Sequence, residues 1–191
     1  MTMYKYILFD FDGTLIDTNK LILFCLKEAS RKFLNKDLTT EDINSVLGKP
    51  LIEQMQDLSS TYYEEMVNFY KKLYKSLQDD MVKEFKGVRT MLDSLKSLDC
   101  KMAIVSSKGL NGIKHGLDKF KLSEFFEVVI SAYDVTNAKP HPEPALKALK
   151  ELGASTSNSL LVGDSPYDIL CGKNAGIRTV MVSWTIFPHS S

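Results

Sequence analysis

Acids, hydroxyls and an ammonium recur in this chain just where short apolar runs break off. Asp10 and Asp12 follow the run Tyr4 to Phe9 in the segment Asp-Phe-Asp-Gly-Thr-Leu, where Gly13 offers a residue without Cβ at a sharp turn. Ser106 and Ser107 follow Lys101 to Val105, and Lys139 lies in the segment after Phe126 to Ile130. Asp164 follows Ser159 to Val162, and Asp168 comes one helical turn later. Clustered carboxylates repel one another unless a cation sits among them. Oxygen donors favour a hard ion, which is Mg2+ where phosphate is the substrate. One Mg2+ together with the Lys139 ammonium balances Asp10, Asp164 and Asp168, leaving Asp12 to titrate as a general acid at a leaving-group oxygen. An activated carboxylate can itself attack phosphorus and form an aspartyl-phosphate. Ser106 and backbone N–H groups of the turns, such as that of Gly13, can hold phosphoryl oxygens. Ser107 competes for that place; Ser106 is preferred because it directly follows Ala103-Ile104-Val105.

The elements that must position these groups alternate. Tyr4 to Phe9, Lys101 to Val105, Phe126 to Ile130, Ser159 to Val162 and Arg178 to Val182 read as short buried strands. Between them, apolar residues at helical spacing mark helices over Val88 to Leu98, Leu110 to Phe120, Pro142 to Leu152 and Pro166 to Ala175. Strand-helix alternation predicts an α/β fold with a doubly wound, mainly parallel, Rossmann-like sheet. In such a sheet ligands bind outside the carboxyl ends of the strands, where the acids and Lys139 are expected. Residues 17–83 interrupt the pattern. Ile22, Leu26, Ala29 and Phe33, then Tyr63, Met66, Tyr70, Leu73 and Leu77, fall at helical spacing. Thr39 with Asp42 has the form of a capping box, and Pro50 suits a first helical turn. The stretch from Thr18 to about Lys83 therefore reads as wholly helical, a small all-α insert after the first strand, with 1–16 and 84–191 forming the catalytic core.

The 191 residues carry 24 Lys+Arg and 24 Asp+Glu, so the sequence-wide electrostatic case for nucleic acid or an anionic membrane is absent. Apolar residues at 44% and 19 aromatics are enough to bury a core, which excludes a disordered chain. No stretch approaches the ~20 apolar residues of a membrane span. The first residues place two acids where a signal peptide needs an unbroken apolar region. Cys25, Cys100 and Cys171 are too few and too scattered for a disulfide framework or a zinc site. A cytoplasmic protein is expected, monomeric or homodimeric, with a small phosphorylated molecule as its substrate and neither nucleic acid nor membrane as a partner.

Asp10-Phe-Asp-Gly-Thr-Leu15, Ser106, Lys139-Pro140 and Gly163-Asp164-Ser165-Pro166-Tyr167-Asp168 resemble, in order and at suitable distances, the four motifs of the haloacid dehalogenase superfamily. The resemblance spans nearly the whole chain, and the insert resembles that family's small helical cap. It implies Asp10 as nucleophile, and Asp12 as general acid and then as the base that activates water. It implies Ser106 as a phosphoryl ligand and Lys139 as the cation that steadies nucleophile and phosphoryl charge. Mg2+ would be bound by Asp10, by Asp164, by Asp168 directly or through water, and by the backbone carbonyl of Asp12. The dehalogenase members lack an acid two residues past the nucleophile, so Asp12 points to phosphoryl transfer. Lys139 to Pro144 and Val182-Ser183-Trp184-Thr185 look most like phosphoglycolate phosphatases and the related pyrophosphatases; the β-phosphoglucomutases share the core motifs, so a phosphosugar mutase stands as the alternative. In capped relatives a turn like Leu47-Gly48-Lys49-Pro50 approaches the active site, which makes Lys49 a candidate for a second anionic group of the substrate. Glu143 reads as a negative charge favouring a helix start, His141 as a turn residue, and Arg89 and Lys108 as solvated cations that could touch a phosphate.

Overall fold

The computed structural model describes residues 4–187. Five short strands make one parallel sheet: β1 (Tyr6–Phe9), β2 (Lys101–Val105), β3 (Val128–Ile130), β4 (Ser159–Gly163) and β5 (Arg178–Met181), in spatial order β3-β2-β1-β4-β5. The order runs outward from β1 in both directions, so the winding reverses between β1 and β4. That reversal opens a crevice at the carboxyl ends of these strands. The register aligns Phe9 with both Ile104 and Val162, so the next residues of β1, β2 and β4 reach one rim together.

The central strands β1 and β2 are apolar and buried over most of their length because helices cover both sheet faces. On one face Leu8, Ala103, Val105, Val128, Ile130 and Leu161 pack with Ala145, Ala148, Leu149 and Leu152 of a helix spanning Glu143–Leu152. Cys171, Ala175 and Ile177, on and just after the helix Pro166–Asn174, complete that cluster. On the alternate positions Ile7, Phe9, Met102 and Ile104 are buried, as are Ile113 and Leu117 of the helix Leu110–Lys119. Phe9 also meets Phe126 edge to face at 6.3 Å between ring centroids. The remaining helix of this unit is Val88–Ser97. The three cysteines are buried and unbridged.

The chain forms two compact units, Met1–Ile16 with Glu84–Ser191, and Asp17–Lys83. The second contains helices Asn19–Leu34, Thr40–Val46, Leu51–Leu58 and Tyr63–Met81. Leu21, Cys25, Leu26 and Ala29 on the first of these and Met66, Val67 and Tyr70 on the last are buried. Thr39 and Asp42 make a reciprocal capping box, and Pro50 immediately precedes its helix.

Two details differ from the sequence reading. Residues 17–83 are not wholly helical, because Ile16–Asp17 and Lys83–Glu84 form short strands that pair with one another. Two residues are too few to show a period of two. The third sheet strand starts at Val128 rather than Phe126, since a 3-10 turn at Ser123–Phe125 buries Phe125 and the chain extends only after it. Among the described residues no helix is long and apolar enough to cross a membrane.

Candidate active site

Asp10 leaves β1 with its N–H donated to the Val162 carbonyl of β4, 2.9 Å. Its side chain is buried, and Oδ1 accepts from Lys139 Nζ at 2.7 Å. The same ammonium donates to Asp168 Oδ1 at 2.5 Å and to the Val105 carbonyl at 3.1 Å. The second Asp168 oxygen accepts from the backbone N–H and hydroxyl of Ser165, at 3.0 and 2.6 Å. Ser165 and Asp168 thus form the capping box that starts the helix Pro166–Asn174. One carboxylate both satisfies a helix end and holds the buried lysine.

The turn after β1 is tight. Gly13 has φ +78 and donates its N–H to the Ile16 carbonyl at 2.8 Å. A Cβ on Gly13 would lie 2.3 Å from Asp164 Oδ2, so the turn and the Asp164 carboxylate fit only without a side chain there. Gly13→Ala should therefore displace Asp164 and lower stability by roughly 1–3 kcal/mol, with turnover falling more than stability. Denaturant unfolding and steady-state kinetics on one preparation check this; unchanged kinetics would show that Asp164 need not sit where it does.

The far end of the sheet fastens both turns. Trp184 Nε1 donates to the Gly13 carbonyl at 3.1 Å, its ring packs on Phe85 at 5.2 Å between centroids, and the Thr185 hydroxyl donates to the Asp164 carbonyl.

Oxygens of Asp10, Asp164 and Asp168 all lie within 4.8 Å of one another, and the three side chains are buried. Burial pushes the Asp10 carboxyl up to about 7, with Lys139 opposing the rise and Asp168 and Asp12 adding to it. Burial, then the charges of Asp10 and Asp168, push Asp164 up to about 8. Burial disfavours the Lys139 ammonium too, but Asp10 and Asp168 outweigh it and raise its pKa. The site therefore holds more carboxylate than one ammonium neutralises. Three converging oxygen donors with a charge deficit fit a hard divalent cation such as Mg2+.

Asp12 stands apart from that trio. Its two oxygens accept from Lys108 Nζ at 2.9 and 3.0 Å. Ser106 is buried after β2, donates its N–H to the Ile130 carbonyl at 2.9 Å, and accepts the Lys108 N–H on Oγ at 3.3 Å. Ser107 Oγ is buried without a hydrogen-bond partner in the protein, so a hydroxyl at this turn is desolvated and uncompensated. Lys49 belongs to the helical unit, where Nζ pairs with Asp57 at 2.6 Å and its carbonyl accepts from Gln54.

Three residues do not behave as the sequence suggested. Lys108 is held on Asp12 rather than solvated. Glu143 does not simply favour a helix start: its carboxylate clamps the loop before it, accepting from the backbone N–H groups of Thr136 and Asn137 at 2.8 and 3.0 Å. Arg89 lies away from the acids; it pairs with Glu84 and donates to the carbonyls of Phe120 and Lys121. The Ser165-x-x-Asp168 spacing carried a capping signal that would have found the second task of Asp168.

Proteins similar to this chain in sequence or fold are numerous. A Bacillus cereus pyrophosphatase PpaX is 38% identical over 94% of this chain and 83% of its own. A Clostridium perfringens protein, provisionally named pyrophosphatase PpaX, is 42% identical over 97% of this chain and 87% of its own. A solved Bacteroides fragilis structure, described with the same reserve as a haloacid dehalogenase-like hydrolase, superposes with a TM-score of 0.88 at 27% identity, covering 97% of this chain and 90% of that one. The family model for haloacid dehalogenase-like hydrolases matches residues 7–182. With a parallel sheet in this order, acids at its carboxyl rim and a family match over most of its length, the chain belongs to the haloacid dehalogenase-like hydrolases.

Proposed function

We propose that this hydrolase is a Mg2+-dependent phosphatase that cleaves inorganic pyrophosphate, and small phosphoric monoesters such as phosphoglycolate, through an aspartyl-phosphate on Asp10. The observation that carries the reading is the buried Asp10–Lys139–Asp168 bridge with Asp12 beside it. Similarity to the pyrophosphatases PpaX puts pyrophosphate first.

Lys139 fixes the Asp10 carboxylate in one orientation and opposes the charge of its neighbours, so a nucleophile is held ready in a site poor in water. Asp10 bonds to phosphorus as the P–O bond to the leaving group breaks, and Asp12 delivers a proton to the departing oxygen. Asp12 then takes a proton from water as that water attacks phosphorus, which releases phosphate and restores Asp10. Ser106, Ser107 and Lys139 are assigned to the phosphoryl oxygens; the Gly13 N–H, expected there from the sequence, is instead given to the Ile16 carbonyl. Asp10, Asp164 and Asp168, with the Asp12 carbonyl, would hold Mg2+, which when bound supplies positive charge to the phosphoryl group. A cytoplasmic setting belongs to this reading and is supported by three unbridged cysteines. Lys49 is proposed as a contact for a second substrate anion.

Phosphate release from pyrophosphate with and without chelator tests the reading; no Mg2+-dependent release would end it. Hexose 1-phosphate separates it from the mutase alternative, because hydrolysis yields free phosphate and a mutase yields hexose 6-phosphate. The raised carboxyls also make a stability prediction. Asp10 and Asp164, at about 7 and about 8, bind more protons folded than unfolded, where both have the ordinary aspartate value of 3.8. Stability of the metal-free protein should therefore fall as pH rises from about 4 to about 8. Added Mg2+ should raise the melting temperature more at about pH 8 than at about pH 5, because protons compete for the same oxygens. A Mg2+ effect equal at both pH values would count against the carboxylate cluster as its site.

A further inference from the structure

The Lys108–Asp12 pair is not explained by metal binding or by nucleophile formation. From it we infer that Lys108 is a specificity-determining residue that recognises the charge of the leaving group, selecting substrates whose departing half carries an anion of its own. The inference rests on the reading above that Asp12 works at the leaving-group oxygen.

The two lysines of the site divide its carboxylates between them. Lys139 is 4% exposed and committed to Asp10 and Asp168. Lys108 is 16% exposed and Asp12 19%, so this second pair borders solvent and is open to a substrate. The placement of Lys108 is built rather than incidental. Its N–H reaches Ser106 Oγ, its carbonyl accepts from Ala132 at 3.1 Å, and its aliphatic stem lies across Gly112. A Cβ on Gly112 would stand 2.6 Å from Lys108 Cε, so the stem in its present course lies where a side chain at position 112 would crowd it.

Charge decides what this does. Alone, the Asp12 carboxylate would repel a leaving group bearing a phosphate or carboxylate. With Lys108 bonded to both its oxygens, the charge of Asp12 is offset and the pair presents an ammonium at the point where the leaving group must lie. Pyrophosphate, whose departing half is itself a phosphate, gains a charge-assisted contact there. A monoester with an uncharged leaving group gains nothing.

The test uses the full-length enzyme with Mg2+ and compares kcat/KM for pyrophosphate and for phenyl phosphate. Lys108→Met should lower kcat/KM for pyrophosphate by roughly 10- to 100-fold more than for phenyl phosphate, the worth of a hydrogen bond to a charged group. Lys108→Arg should restore most of the difference. An equal loss on both substrates would overturn the inference, since Lys108 would then act only by holding Asp12. Should the wild-type enzyme hydrolyse monoesters but not pyrophosphate, the pyrophosphate assignment fails by itself. The same comparison is then made between phosphoglycolate, whose leaving group carries a carboxylate, and phenyl phosphate, and a substrate-independent loss again overturns the role of Lys108.

Discussion

Asp10→Asn should abolish turnover, by about 10^4-fold or more, while leaving the protein folded. The substitution keeps shape and volume and keeps an oxygen for Lys139 Nζ, now 2.7 Å from Oδ1. It removes the carboxylate proposed as nucleophile, because an amide oxygen is too weak to displace a phosphate, and effects of that size follow when a covalent catalyst is deleted. It also removes one of three crowded buried carboxylates, so the metal-free variant should show a weaker dependence of stability on pH than the wild type. Single-turnover assays, with acid-quenched peptide mapping for a phosphorylated Asp10 in the wild type, measure the first effect; melting curves across pH measure the second. Turnover near the wild-type rate in a preparation free of contaminating phosphatase would remove Asp10 from its role.

Lys139→Met should damage both stability and catalysis. Methionine fills most of the same volume but leaves Asp10 and Asp168 without the ammonium that now bridges them. Removing one partner from a buried ion pair costs about 3–5 kcal/mol, because the remaining charge stays desolvated. The sign with pH is set by the carboxyls. Where they are ionised, well above about pH 8, the loss should be largest; as pH falls below about 7, protonation of Asp10 and Asp164 removes part of the repulsion and the loss should shrink. Denaturant titrations of the metal-free proteins at the two ends of that range measure the difference. A loss of the same size at both would mean that packing of the lysine stem, not its charge, holds this region together. Turnover should fall by at least ~10^2-fold, as when one preorganised charge is lost from a polar active site.

Much of this architecture could be read from local pattern. Strands buried on both faces appear as unbroken apolar runs, and the alternation of such runs with amphipathic stretches is enough to dictate an α/β fold with a parallel sheet. The rule that ligands gather at carboxyl strand ends then directs attention to Asp10, Ser106 and Asp164, each of which directly follows a sheet strand. What local pattern cannot supply is partnership across long sequence separations. Lys108 meets Asp12 across 96 positions, and nothing within a helical window distinguishes it from a solvated lysine. The place of Glu143 at a helix start suggests a role there, yet its carboxylate turns back to the loop at Thr136 and Asn137, a choice between two nearby sets of N–H donors that only folded geometry decides. The short pairing of Ile16–Asp17 with Lys83–Glu84 was illegible for a different reason, because a strand of two residues has no periodicity to detect.

The indole of Trp184, the chain's one tryptophan, touches the backbone of the turn that follows Asp10. A change at that turn alters the surroundings of the indole, which also packs on Phe85, so its emission should report on the candidate site. Stopped-flow fluorescence can thus time events at that turn without any attached dye.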